Sequence, residues 1–149
     1  MADEWHSEED VKFKFLVPYL AERGYKQDCI DFNVAIEVHE GRKKKSIFAD
    51  AVVYASTAKV APLLVCETKA PSEVLDRRVR GQAISYARLL PRIAPLTLIT
   101  NGGQVQVFHT LDKTRIAALP KRSDLEEDIV KFILPGAVQD ALRLAACRT

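Results

Sequence analysis

The chain has 149 residues, 48% of them hydrophobic and 28% charged, which describes an ordinary globular protein with a single core. Its longest uncharged apolar stretch is too short to cross a bilayer, and the acidic start Met1-Ala2-Asp3-Glu4-Trp5-His6 lacks the apolar centre of a secretory signal. The net charge of +2 selects no partner, although its distribution is uneven.

Ser7-Glu8-Glu9-Asp10 reads as an N-cap followed by acids in the first turn. The helix is expected to run to about Arg23 and stop at Gly24, with Val11, Phe15, Leu16, Tyr19 and Leu20 as its apolar stripe and a kink or split at Pro18. Ile30, Phe32, Val34, Ile36 and Val38 alternate with polar or small residues, which predicts a strand with one buried face. A basic turn from Glu40-Gly41 leads to a second strand over about Ile47 to Ala55. A loop from Ser56 to Pro62 and a third strand from Leu63 to Lys69 follow, and Pro71 ends that strand.

Ser72 is a candidate cap for a helix over Glu73 to Leu90, weakened in its first half by Gly81. Leu96 to Thr100 reads as a fourth strand, Asn101-Gly102 as a hairpin turn and Val105 to His109 as the returning strand. Ser123-Asp124-Leu125-Glu126 opens a helix to about Leu134, Pro135-Gly136 breaks it, and Ala137 to Ala146 forms a last one. The order α-βββ-α-ββ-αα predicts an α/β (α+β layered) fold: one domain over 1–149, with a mixed central sheet flanked by helices. Cys29, Cys66 and Cys147 are odd in number and widely spaced, which argues against a disulfide framework and favours a cytoplasmic setting.

The chemistry concentrates between Asp50 and Tyr86. Asp50 stands inside the apolar run Phe48 to Tyr54, and Glu67-Thr68-Lys69 ends the run Leu63 to Cys66. Lone charges are expensive to bury, so acids and an amine at strand positions need partners. If the second and third strands form a hairpin centred near Lys59, Asp50 falls opposite Glu67 or one position away, and Glu67 and Lys69 share a face. Two carboxylates so close require neutralisation, and a hard cation such as Mg²⁺ suits them. A lysine beside it would orient or deprotonate a water. A buried salt bridge among the same residues is the competing account.

Gln82 and Tyr86 lie one helical turn apart and could aim an amide and a phenol at this site; they equally suit an ordinary amphipathic helix with Tyr86 half in the core. Glu8 shares the stripe of Val11 and Phe15 and is a candidate extra metal ligand. Arg42, Lys43, Lys44 and Lys45 form one basic cluster, and Arg77, Arg78 and Arg80 another. Each suits phosphate contacts as well as a plain solvated surface. His6, His39 and His109 are scattered, which argues against zinc. Neither a Gly-rich nucleotide loop ending in Lys-Ser/Thr nor a Gly-x-Ser-x-Gly elbow is present.

Asp50, Glu67-Thr68-Lys69, Gln82 and Tyr86, in this order and spacing, resemble the PD-(D/E)xK nuclease superfamily. With Glu8 and the run Val11 to Gly24-Tyr25 ahead of them and Ile99-Thr100-Asn101-Gly102 behind, they resemble within it the N-terminal nuclease domain of type I restriction enzyme restriction subunits. The resemblance implies that Asp50 and Glu67 are Mg²⁺ ligands (Mn²⁺ as a substitute), with the Thr68 carbonyl a further one. It implies that Lys69 is the catalytic lysine, Gln82 and Tyr86 a supporting helix pair, and Glu8 the acid of the first helix. Ala49 stands where the wider family has proline, and no helicase motor follows in these residues.

The expected function is therefore a Mg²⁺-dependent DNA endonuclease domain, either excised from a longer protein or standing alone and served by a motor or specificity subunit in trans. The alternative is a non-cleaving module that binds DNA or a partner subunit on a nuclease-like fold.

Overall fold

The computed structural model describes residues 5–125. The chain enters through α1 (Glu8–Asp10), a π-helical segment (Val11–Leu16) and α2 (Val17–Glu22), which follow one another without a break. Ser7 caps this helix by accepting from the Asp10 N–H. The wide winding directly precedes Pro18. A proline in the second position of α2 would collide with the carbonyl four residues back in a regular helix, and the π turn moves that carbonyl aside. Pro18 thus changes the winding without splitting the helix. Gly24, at φ +88°, ends the turn that follows.

Six strands follow: β1 (Ile30–Glu40), β2 (Lys43–Tyr54), β3 (Pro62–Thr68), β4 (Leu96–Thr100), β5 (Val105–His109) and β6 (Arg115–Ile116). They lie in sequence order across one sheet. All neighbours are antiparallel except β3 and β4, which are parallel and joined by α3 (Arg77–Leu89). The mixed sheet flanked by helices matches the expected class. β6 has no counterpart in the sequence reading, because two residues carry no periodicity.

Three boundaries differ from expectation. β2 begins at Lys43, so three of the four basic residues sit in a strand that pairs with β1, and only Arg42 lies in the turn. α3 is capped by Asp76, whose carboxylate accepts from the Val79 N–H, and Ser72 lies in the turn before it. Ser123 belongs to a single 3₁₀ turn (Arg122–Leu125), and both helices expected beyond it lie outside the described residues.

β1 also departs from a strand with one buried face. Ile30 and Phe32 pack with Leu16, Leu20, Ala51, Val53 and Cys66, whereas Val34 and Ile36 pack with Ala49, Val65 and Ala87 on the other face. Strict alternation would keep all four together. The exchange occurs at Asn33, which adopts φ +52°, a left-handed conformation that asparagine tolerates better than most residues. On the neighbouring strand the exchange spans Asp50, since Phe32 pairs with Ala51 and Val34 with Ala49. The hairpin therefore rolls over at the level of Asn33 and Asp50.

The first face is covered by the N-terminal helix and by Leu119 and Leu125, the second by α3. Cys29 and Cys66 are free, and burial pushes the Cys66 thiol well above its usual range, as befits a small core residue. No helix among the described residues is long and apolar enough to cross a membrane.

The β4–β5 turn is pinned twice. Asn101 Oδ1 accepts from the Gly103 and Gln104 N–H groups, and Trp5 lies over Gly102, which has φ +87°. A Cβ on Gly102 would stand 2.7 Å from Trp5 Cδ1. Gly102→Ala is expected to lower unfolding stability by about 1–3 kcal/mol in urea titrations. In a Trp5→Ala background the loss should shrink, because the collision is gone and only backbone strain is left.

Candidate active site

The register of β2 on β3 ends with Ala51 paired to Cys66. One step further, where Asp50 stands opposite Glu67, the strands part and side chains take over the ladder. The Asp50 N–H donates to Glu67 Oε1 at 3.1 Å. Asp50 Oδ2 in turn accepts from the Thr68 N–H at 2.8 Å and from the Thr68 hydroxyl at 3.1 Å. Each carboxylate thus satisfies a backbone donor of the opposite strand, which is why two acids are tolerated in apolar runs. Lys69 follows directly, half-buried, and its N–H donates to the Thr100 carbonyl, carrying the parallel β3–β4 pairing one residue past the end of β3.

The electrostatics of the pair are unbalanced. Glu67 is only 5% exposed. Its burial, aided by the charge of Asp50, pushes its carboxyl up to about 8 from 4.5, with Lys69 acting in the opposite direction. Glu8, at the rim, is raised in the same sense, first by desolvation and then by Asp50, and it too feels Lys69. The poorly hydrated surroundings therefore disfavour the charged form of both acids.

A group absent from the sequence reading sits at its centre. Lys12, on the π-helical segment, is 2% exposed. Its Nζ donates to Asn33 Oδ1 at 2.9 Å and forms ion pairs with Asp50 Oδ1 at 3.4 Å and Glu9 Oε1 at 3.6 Å. Lys12, Leu16 and Leu20 are four residues apart and all buried, so spacing alone could have placed it. The ordinary preference of lysine for water hid it.

The remaining candidates divide. Gln82 Nε2 donates to the Tyr86 hydroxyl at 2.6 Å, so the pair is joined, and Tyr86 packs against the Ala49 and Val65 cluster. The basic hairpin is exposed but remote: Lys45 lies five residues along β2 from Asp50 and Arg42 eight, roughly 16 and 26 Å at strand rise. Arg77 and Arg78 are exposed on the first turn of α3. The segment leading to them is tied at Glu73 to Asn101, at the Thr68 and Thr100 end of the sheet. Arg80 parts from them, since it is partly buried with its guanidinium over the Phe108 ring, 5.1 Å from the centroid.

Among the described residues no three His, Cys, Asp or Glu side chains are gathered to hold a metal. Asp50 and Glu67 are a pair of hard oxygen donors, and a small divalent ion takes one or two carboxylates and keeps its waters.

The family model for the type I restriction enzyme R protein N terminus matches residues 7–121. A solved fragment described as an HsdR subunit of a type I restriction enzyme from Vibrio vulnificus YJ016 shares the fold, with a TM-score of 0.65 at 19% identity. The match covers 86% of this chain and 26% of that one, so the chain spans about a quarter of it. No curated protein matches the chain.

Because Glu67 holds its proton more tightly folded than unfolded, its contribution is fully present below pH 4.5 and is lost as pH rises through about 8. The melting temperature of the metal-free protein in EDTA should accordingly fall across this window. Glu67→Gln should flatten that fall, as read by circular dichroism melts at successive pH values.

Proposed function

Since the chain belongs to the family of type I restriction enzyme R protein N termini, we propose that it is a metal-dependent nuclease domain hydrolysing DNA phosphodiester bonds. The observation that carries this reading is the exchange between Asp50, Glu67 and Thr68 at the end of β3, with Lys69 beside it. The residues fit a hard cation: their donors are all oxygen, and burial disfavours a charged Glu67 that a cation beside it would favour.

Asp50, Glu67 and the Thr68 carbonyl would hold Mg²⁺, or Mn²⁺ in its place, with Glu8 as an acid at the rim. When bound, such an ion neutralises charge on the scissile phosphate and makes a coordinated water more acidic. Lys69 orients the attacking water and steadies the negative charge that builds on the phosphate. Gln82 and Tyr86, locked together, support the site from α3.

Arg77 and Arg78 support the choice of DNA. They are exposed on the first turn of α3, beside the capping carboxylate of Asp76, and present two guanidinium groups to a phosphate. Arg42 and Lys43 to Lys45 would reach the backbone farther along a duplex. Such contacts carry no base information, so sequence choice and DNA movement would come from a motor or specificity component.

Purified protein is expected to nick supercoiled plasmid with Mg²⁺ or Mn²⁺ and to stop in EDTA. Asp50→Ala, Glu67→Ala and Lys69→Ala should each reduce nicking by roughly 10²-fold or more while circular dichroism stays unchanged. Metal-independent DNA binding without cutting would instead identify a binding module, and full activity in Lys69→Ala would remove the lysine from the mechanism.

A further inference from the structure

Lys12 touches three acceptors on three different segments: Glu9 in α1, Asn33 in β1 and Asp50 in β2. Its ammonium donates a hydrogen bond to Asn33 and lies at ion-pair distance from the two carboxylates. Packing does not require this arrangement, because an aliphatic side chain would fill the stripe with Leu16 and Leu20 without carrying a charge into it. The backbone is also shaped for it. The π turn presents Lys12 on the buried side, and Asn33 takes a left-handed conformation at the level where its amide meets the ammonium.

The two oxygens of Asp50 are differently committed. Oδ2 is bound to the N–H and hydroxyl of Thr68, whereas among the described residues Oδ1 is held by Lys12 alone. The oxygen with capacity for a cation is therefore the one that already faces a cation.

We propose that Lys12 is the resident counter-ion of Asp50 and competes with the divalent ion for Oδ1, thereby setting how tightly the site takes metal. The proposal rests on the reading that Asp50 and Glu67 hold such an ion. In the metal-free protein Lys12 offsets part of the charge of Asp50. When a divalent ion approaches Oδ1 it meets a positive charge 3.4 Å from that oxygen and must displace it or bind against it. Glu9, whose side chain is 69% exposed, offers the released ammonium a second acceptor. Lys12 is thus a positioning residue for Asp50, distinct from Lys69 at the end of β3.

The test is isothermal titration of the whole chain with Mg²⁺ and with Ca²⁺, without DNA, alongside melts in EDTA and in each ion. Lys12→Gln and Lys12→Met remove the charge, the first retaining an amide for Asn33 and the second the volume of the stripe. Lys12→Arg keeps the charge. The expected result is metal binding about five-fold tighter or more in Lys12→Gln and Lys12→Met, with a lower melting temperature in EDTA and a larger rise on adding metal. Lys12→Arg should bind as the wild type does.

If the neutral variants unfold in EDTA but regain native circular dichroism with Mg²⁺, the ion has replaced the lysine, which equally supports the proposal. Equal or weaker metal binding in folded Lys12→Gln and Lys12→Met overturns it, as does failure to fold with metal present. A wild-type chain that shows neither heat nor a melting shift with Mg²⁺, Mn²⁺ or Ca²⁺ removes the metal site itself. That result differs from the case in which wild type binds and only the lysine variants fail to respond.

Discussion

The arrangement of this protein depends on one reciprocal exchange, in which the carboxylates of Asp50 and Glu67 complete the backbone hydrogen bonding that β2 and β3 abandon. An antiparallel pair that parts inside a protein leaves donors without acceptors, and burying them unsatisfied is costly. Here the acids supply the acceptors. The same act brings two negative charges together where water is scarce, so the structural solution creates an electrostatic problem. Glu67 answers by holding a proton more tightly, and Lys12 answers by lying against Asp50.

The surroundings follow from the need to hold that exchange in place. β3 is buried along its whole length and is paired on both sides, antiparallel to β2 and parallel to β4. The parallel pair brings the ends of β3 and β4 to one edge, where Thr68, Lys69 and Thr100 lie level. Strand ends of this kind are where α/β folds place ligands, because the loops there can vary while the strands stay rigid. The Asn101 turn closes the same edge, and through Glu73 it also fixes where α3 begins. The stability of the region is thus tied to its charge state.

Much of this was legible in the residues. Alternation and turn signals located the first five strands and the crossover helix, and the spacing of Asp50, Glu67 and Lys69 foretold the meeting of β2 and β3, because hairpin register is arithmetic once the loop is found. Other features were not legible. Asn33 is an unremarkable polar residue in an alternating strand, and its left-handed backbone, which turns β1 over, leaves no trace in periodicity. Lys12 is left out of the apolar stripe of the first helix because a lysine is not ordinarily a core residue, although it stands four residues before Leu16. Arg80 was grouped with Arg77 and Arg78 by proximity in the chain, although Phe108 claims it. Each miss comes from tertiary context overriding a local preference.

The π turn before Pro18 has an implication for how this helix could have arisen. A single wide turn is an ordinary helix with one extra residue, and the Val17 N–H reaching back to the Lys12 carbonyl marks the added position. Removing one residue from Val11–Leu16 would let the helix rewind regularly, yet it would swing everything ahead of the deletion by about 100°. Leu16 and Leu20 would still reach the sheet, while Glu8 and Lys12 would point elsewhere. Regular winding here would uncouple the helix from the acids below it, so lineages that keep the anomaly should be those in which that coupling is still in use.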